Sequence, residues 1–194
     1  DAMRIGDLMI LTLRRPQEAA ARLRALGLGW GARWALLLLA VTVSSLLAGL
    51  AQILFPPPPD WSLKPLFDAP LALAGMQLGA MLLSAGAVTL AGRAFGGSGT
   101  FADAILLIGW SELVLCAVQA TELVLLLVLP PSGPLMSLIA FGLSIWLAVS
   151  MTRALHGFSS TAKVALGFFV VLFVIATLLS VLGGALGLFP EVAP

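Results

Sequence analysis

The chain has 194 residues, of which 60% are hydrophobic and 10% are charged, and its formal net charge is +1. Soluble domains carry roughly a quarter of their residues as charged ones. This composition, with a mean hydropathy of +1.10, therefore indicates an integral membrane protein. The apolar segments occupy nearly the whole length, so we expect no soluble catalytic domain. A net charge near zero gives no basis for a nucleic-acid partner.

The first 33 residues form an amphipathic segment that we expect on the cytoplasmic side and that holds most of the positive charge. The pair Arg15-Pro16 interrupts it, because a residue before proline is pushed out of the helical conformation. In the helix that follows, one face is apolar and carries Ala19, Ala20, Leu23 and Leu26. Such a face is typical of a helix that lies in the lipid interface. It suits a cytoplasmic cap packed on a helix bundle equally well.

Five apolar segments follow, and each is long enough to cross a hydrocarbon layer about 30 Å thick. They cover residues 34–55, 69–94, 104–129, 135–155 and 162–189. The sequence therefore predicts an all-α membrane protein. A domain over residues 34–190 forms a bundle of five transmembrane helices, preceded by an N-terminal amphipathic interfacial helix.

The second segment is rich in glycine and alanine. Small residues let helix backbones approach closely within a membrane, so we expect this helix at the centre of the bundle or in self-association. Its Gln77 is expected to bond a neighbouring helix.

Basic residues are distributed unequally between the two sides that five crossings define. Lys64 alone falls on one side, and the other side carries Arg4, Arg14, Arg15, Arg22, Arg24, Arg33, Arg93, Arg153 and Lys163. The positive-inside rule therefore predicts a cytoplasmic N-terminus and an external C-terminus. In a bacterial inner membrane, the C-terminus would be periplasmic.

The third segment alone carries acids within a strongly apolar run. At about 100° per residue, one sector roughly 120° wide holds Glu112, Cys116, Gln119 and Glu122. Intramembrane acids often mark a proton or cation pathway. Alternatively, each carboxyl group bonds a polar side chain of an adjacent helix, the candidates being Gln77, Ser84, Thr89 and Ser144. We favour the second interpretation, because there is no basic partner at matching depth and no inverted repeat.

Enzymatic motifs are missing from the sequence: it has no HExxH, no GxSxG and no His and Cys cluster at metal-ligand spacing. His156 stands by itself in a loop and is interpreted as an interfacial residue. Cys116 has apolar and acidic neighbours, which make a thiol a poor nucleophile. No catalytic residue, cofactor site or metal site is predicted.

The loop between the second and third segments reads FGGSGTFAD. Its glycines allow a tight turn, and Thr100 with Asp103 resembles a capping box at the start of the third helix. A phosphate cradle is the alternative, and it is disfavoured because the loop has no lysine and no strand precedes it.

Several short motifs carry a family resemblance. They are Arg15-Pro16-Gln17-Glu18, the Lys163-Val164-Ala165 helix start, the Leu155-His156-Gly157-Phe158-Ser159 loop, and the loop with Phe95, Gly96, Gly97, Gly99 and Phe101. With five crossings, they resemble the bacterial branch of the Yip1 domain family of five-helix membrane proteins. A proline common in the early third helix of that family is absent here, and neither Glu112 nor Glu122 maps onto a family site.

The resemblance implies little about activity. Eukaryotic members bind small GTPases through longer cytosolic segments than the one before Trp34, and no functional residue is carried over. Our hypothesis is therefore a non-enzymatic scaffold, adaptor or accessory subunit that contacts the lipid bilayer and other membrane proteins or a second copy of itself. The alternative is a small transporter or channel that uses Glu112 and Glu122.

Overall fold

A computed structural model describes residues 4–58, 60 and 68–185 of the chain, and all regular secondary structure in that part is helical. A short 3-10 helix, Pro130–Ser132, precedes the sixth α-helix. Over these residues there are seven α-helices: α1 (Ile5–Arg14), α2 (Pro16–Ala25), α3 (Trp30–Leu54), α4 (Pro70–Ala94), α5 (Phe101–Val128), α6 (Gly133–His156) and α7 (Thr161–Ala185).

Helices α3 to α7 are long and apolar enough to cross a membrane, which confirms the all-α fold with five transmembrane helices. Helix α5 begins three residues before the predicted position 104. The cause is the predicted cap, in which the Asp103 backbone N–H donates to Thr100 Oγ1 at 3.1 Å. The predicted end of the last segment, over residues 186–189, lies outside the described residues.

Helix α5 lies at the centre of the bundle, and it packs against α3, α4 and α6 as well as against both N-terminal helices. It contributes nine buried residues, whereas the glycine-rich α4 contributes four. The prediction that α4 is central is therefore wrong. The glycine that permits a close approach is Gly109 of α5, where an added Cβ would lie 3.1 Å from Leu37 Cα on α3.

The N-terminal helices form a layer against one end of the bundle. Helix α2 packs on α6 and α5, and it buries three of its four predicted face residues, Ala19, Ala20 and Leu23. The fourth, Leu26, is exposed. The structure therefore supports the interpretation of α2 as a cap packed on the bundle rather than as a helix that lies in the lipid interface. Helix α1 instead leaves Ile5, Ile10 and Leu13 exposed.

Candidate functional site

The Gln77 side-chain amide links Glu112 on α5 to Ser44 on α3. Gln77 Nε2 on α4 donates to Glu112 Oε1 at 2.8 Å, and the same nitrogen donates to Ser44 Oγ on α3 at 2.8 Å. The carboxyl group thus joins α5 to α4 and α3 within the membrane. This contact is the interhelical bond that the sequence suggested for Gln77, with Ser44 as a partner that the sequence did not suggest.

The remaining residues of the predicted stripe contact different helices. Cys116 is buried beside Ser44, on the same side as Glu112. Glu122 instead accepts a hydrogen bond from Ser137 Oγ of α6 at 2.8 Å. Gln119 lies half-buried between these positions. Because the two acids contact different helices, the structure does not bring them together in one site.

A cavity of about 290 Å³ reaches Glu112. Its walls come from α4, α5 and α6, with Phe168 of α7 at one edge, and its polar lining consists of Gln77, Ser84, Ser111, Glu112, Ser144 and Thr152. The volume is close to the lower limit of about 300 Å³ for small-molecule sites. Hydroxyl and carboxyl groups can accept or relay protons, so this partly open cavity could hold water or a small cation beside Glu112.

His156 is buried at the cytoplasm-proximal end predicted from charge, contrary to its interpretation as an isolated interfacial residue. The Gly99 backbone N–H donates to its Nδ1 at 3.1 Å, so Nδ1 carries no proton. Nε2 therefore carries the proton and donates to the Val88 carbonyl oxygen at 3.0 Å. The Phe158 ring stacks on the imidazole with centroids 5.4 Å apart. His156 thus connects α4, α6 and the loop between α4 and α5.

Three glycines make room for this imidazole. A Cβ at Gly92 or Gly97 would overlap the ring, and one at Gly99 would lie 2.7 Å from His156 Cε1. These contacts explain why the loop is rich in glycine. The sequence held a signal for this site, namely several glycines within eight residues, but it did not reveal which side chain they face.

Gly96 has a different role in the same loop. Its φ of +85° is in the left-handed region that favours glycine, and its N–H donates to the Arg93 carbonyl oxygen at 3.0 Å, while the Gly97 N–H donates to the Gly92 carbonyl oxygen at 2.8 Å. These bonds form a Schellman motif that ends α4. Two aromatic residues flank the loop: Phe95 is exposed, and the Phe101 ring lies 6.5 Å from that of Trp30.

Asp103 joins the N-terminal layer to the bundle at the same end. Arg33 NH1 of α3 contacts Asp103 Oδ1 at 2.6 Å, and Arg24 Nε of α2 contacts Asp103 Oδ2 at 3.5 Å. Arg24 also donates to the Ala154 carbonyl oxygen of α6 at 3.3 Å. One carboxylate therefore positions α2, α3 and α5 relative to each other.

Arg93 and Arg153 hold the two loops at this end. Arg93 Nε donates to the Gly99 carbonyl oxygen at 3.0 Å. Arg153 Nε donates to the Phe158 carbonyl oxygen at 2.9 Å, and its NH1 donates to Thr161 Oγ1 at 2.7 Å. Within residues 4–58, 60 and 68–185, no group of His, Cys, Asp and Glu side chains is arranged to hold a metal ion.

Comparison with known proteins identifies the family. The model of the Yip1 domain matches residues 10–182, which include α2 to α6, most of α7 and the second half of α1. No curated protein matches the chain, and no solved structure matches it either. Five membrane-spanning helices, a buried centre on α5 and a family match over nearly the whole length lead to one conclusion: this chain is a multi-pass membrane protein that belongs to the Yip1 domain family.

Proposed function

We propose that this protein is a non-enzymatic scaffold, adaptor or accessory subunit of a membrane assembly. The observation that carries the proposal is the outward face of α4. Gly75, Gly79 and Gly86 recur along this face, and no described atom lies within 4 Å of where their Cβ atoms would be. Small residues with open space at their Cβ positions offer a close-packing surface to a helix of another membrane protein or of a second copy.

The bonding of the two intramembrane acids supports the same proposal. Glu112 is tied to Gln77, and Glu122 is tied to Ser137, so each carboxyl group bonds a neighbouring helix. Such bonds stabilise a transmembrane bundle by roughly 0.6 to 2 kcal/mol each. Polar residues used in this way need no transported ion to explain them.

The test is purification of the intact protein in mild detergent from its native membrane, with identification of what co-purifies and measurement of the particle mass. We expect a stoichiometric membrane partner or a homo-oligomer, and we expect Gly79→Leu to remove it. Gly142→Leu on α6 is the matched control, because Gly142 also has no described atom near its Cβ position. A monomer without partners, or equal loss in both variants, would count against the proposal.

The cavity beside Glu112 favours a second candidate, a small transporter or channel for protons or cations. In proteoliposomes, this candidate predicts a flux that Glu112→Gln abolishes while Glu122→Gln reduces it less, because only Glu112 lines the cavity. No flux above that of empty liposomes would exclude it.

We further propose that the protein resides in a bacterial inner membrane with its N-terminus in the cytoplasm, its C-terminus in the periplasm and no nucleic-acid partner. The described Arg and Lys residues belong to the N-terminal helices, lie in the first turn of α3 (Arg33), or flank the loops near residues 93 and 153. Single cysteines at Arg4 and Ser132, introduced with Cys116→Ala, test the orientation through a membrane-impermeant thiol reagent. Intact cells should label the Ser132 position and not the Arg4 position.

A further inference from the structure

A second, larger space of about 510 Å³ lies between α4 and α7. Helix α7 packs on α6, and the space separates it from α4. Small and apolar side chains form most of its walls, including Ala80, Ala87, Ala91, Val164, Gly167 and Val171. Leu83 and Phe95 on its rim are 77% and 73% exposed, so this interhelical groove opens sideways, toward the position of the surrounding lipid.

The interhelical groove runs along α4 and α7 from the loop between α6 and α7 toward the middle of the two helices. On α7 it extends from Lys163 to Leu172, which is roughly 14 Å at about 1.5 Å per residue. On α4 it extends from Phe95 to Ala80, roughly 22 Å on the same basis. An elongated apolar volume of this depth fits an extended hydrocarbon chain.

The charge at the mouth of the groove is positive and uncompensated. Lys163 lines the groove there together with Ser159 and Ser160. Among the residues that the structure describes, Lys163 forms no ion pair with a carboxylate. A cation in the first turn of a helix also opposes the helix dipole, so Lys163 is not explained by stabilisation of α7.

We propose that the interhelical groove binds one anionic phospholipid from the surrounding bilayer, with an acyl chain between α4 and α7 and the phosphate group at Lys163. Ser159 and Ser160 line the same end of the groove, where their hydroxyl groups can donate to phosphate oxygens, and Lys163 supplies a compact positive charge. The Ser160 Oγ also accepts from the Lys163 backbone N–H at 3.3 Å. The apolar lining excludes a soluble anion as the occupant, because it would leave most of the volume empty. A second protein helix is the competing occupant, and it requires no cation at the mouth.

The test uses the purified full chain in detergent, with native mass spectrometry to measure binding of phosphatidylglycerol and of phosphatidylcholine with identical acyl chains. We expect at least tenfold tighter binding of phosphatidylglycerol. Lys163→Gln should reduce that preference below threefold. Arg14→Gln removes the same charge from an exposed residue away from the groove, and it should leave the preference unchanged.

Blocking the interhelical groove gives a second measurement. Ala87→Trp should lower binding of both lipids at least tenfold, whereas Ala72→Trp, at an exposed α4 position that does not line the groove, should not. Lys163 is exposed, so its variant is expected to fold even if Ala87→Trp does not. Equal wild-type affinity for the two lipids, or equal effects of Lys163→Gln and Arg14→Gln, would overturn the proposal. So would a protein partner that Ala87→Trp displaces while lipid binding persists.

Discussion

The Trp110 indole N–H donates to Thr12 Oγ1 at 2.8 Å, and both side chains are buried although 98 residues separate them. The Thr12 hydroxyl in turn donates to the Leu8 carbonyl oxygen at 2.7 Å. Trp110 lies roughly 10 Å beyond Asp103 along α5, at about 1.5 Å per residue. The C-terminal end of α1 therefore lies farther along α5, toward the middle of the bundle, than the ion pairs of Asp103. At this depth, the exposed side chains of Ile5, Ile10 and Leu13 on α1 can contact lipid.

Thr12→Val should destabilise the protein by about 1 to 3 kcal/mol, because it leaves the buried Trp110 N–H without an acceptor. Thr12→Ser keeps the hydroxyl group and should lose much less. Thermal unfolding in one detergent compares the two variants, and limited proteolysis reports release of α1. Equal midpoints for Val and Ser would show that the hydrogen bond does not hold α1 in place.

Gly92→Ala should destabilise the protein by about 1 to 3 kcal/mol, because the new methyl group overlaps the His156 ring. Gly142→Ala on α6 is the matched control, because Gly142 lies outside the glycine face of α4 proposed to bind a partner. No described atom is near its Cβ position, so it should be neutral or stabilising by about 0.5 to 1 kcal/mol.

The thermal midpoints of these two variants decide between packing and helix propensity. If His156 is the obstacle, the Gly92→Ala substitution should cost less in a protein that already carries His156→Ala than in the wild type. If the losses in free energy of unfolding from the two substitutions simply add, the His156 ring is not what makes Gly92→Ala destabilising.

Asp103→Asn removes the negative charge that two arginines share. The side chains of Arg33 and Asp103 are 14% and 15% exposed, so the expected loss lies between the roughly 1 kcal/mol of an exposed ion pair and the 3 to 5 kcal/mol of a fully buried one. Glu18→Gln breaks the exposed pair with Arg22, whose atoms are 2.6 Å apart, and should change stability by less than about 1 kcal/mol. Thermal unfolding of the two variants should rank them in that order.

Glu112→Gln should leave the protein folded, because an amide oxygen can still accept from Gln77. Glu112→Leu should lower the free energy of unfolding by about 1 to 3 kcal/mol, since it removes the acceptor from a partly buried amide N–H. Thermal unfolding of both variants measures the difference. An unchanged midpoint for the Leu variant would count against a structural role for this carboxyl group.

Much of the fold could be predicted from local sequence. A membrane helix needs about 20 apolar residues, which is why five spans could be predicted from the sequence. The start of α5 could also be predicted, because the capping side chain of Thr100 and the backbone N–H of Asp103 that it accepts from are only three residues apart. The family resemblance rested on equally local motifs, and the match to the Yip1 domain confirms it.

How the helices pack against each other could not be predicted from the local sequence. Transmembrane helices are apolar on all sides, so the hydrophobic pattern does not indicate which face packs on protein and which on lipid. This explains why the glycines of α4 suggested a central helix, although the centre is α5 with its Gly109. For the same reason, the sequence does not reveal that His156 contacts α4 and the loop after it.

The sequence by itself determined the number of crossings, the asymmetry of charge and the family, because each depends on composition or on residues close together in the chain. Only the tertiary structure decided that Gly92, Gly97 and Gly99 surround His156, that Glu112 and Glu122 face different helices, and that a groove lies between α4 and α7. These relationships join residues far apart in the chain, and they follow from side-chain shape and hydrogen-bond geometry once the helices have packed.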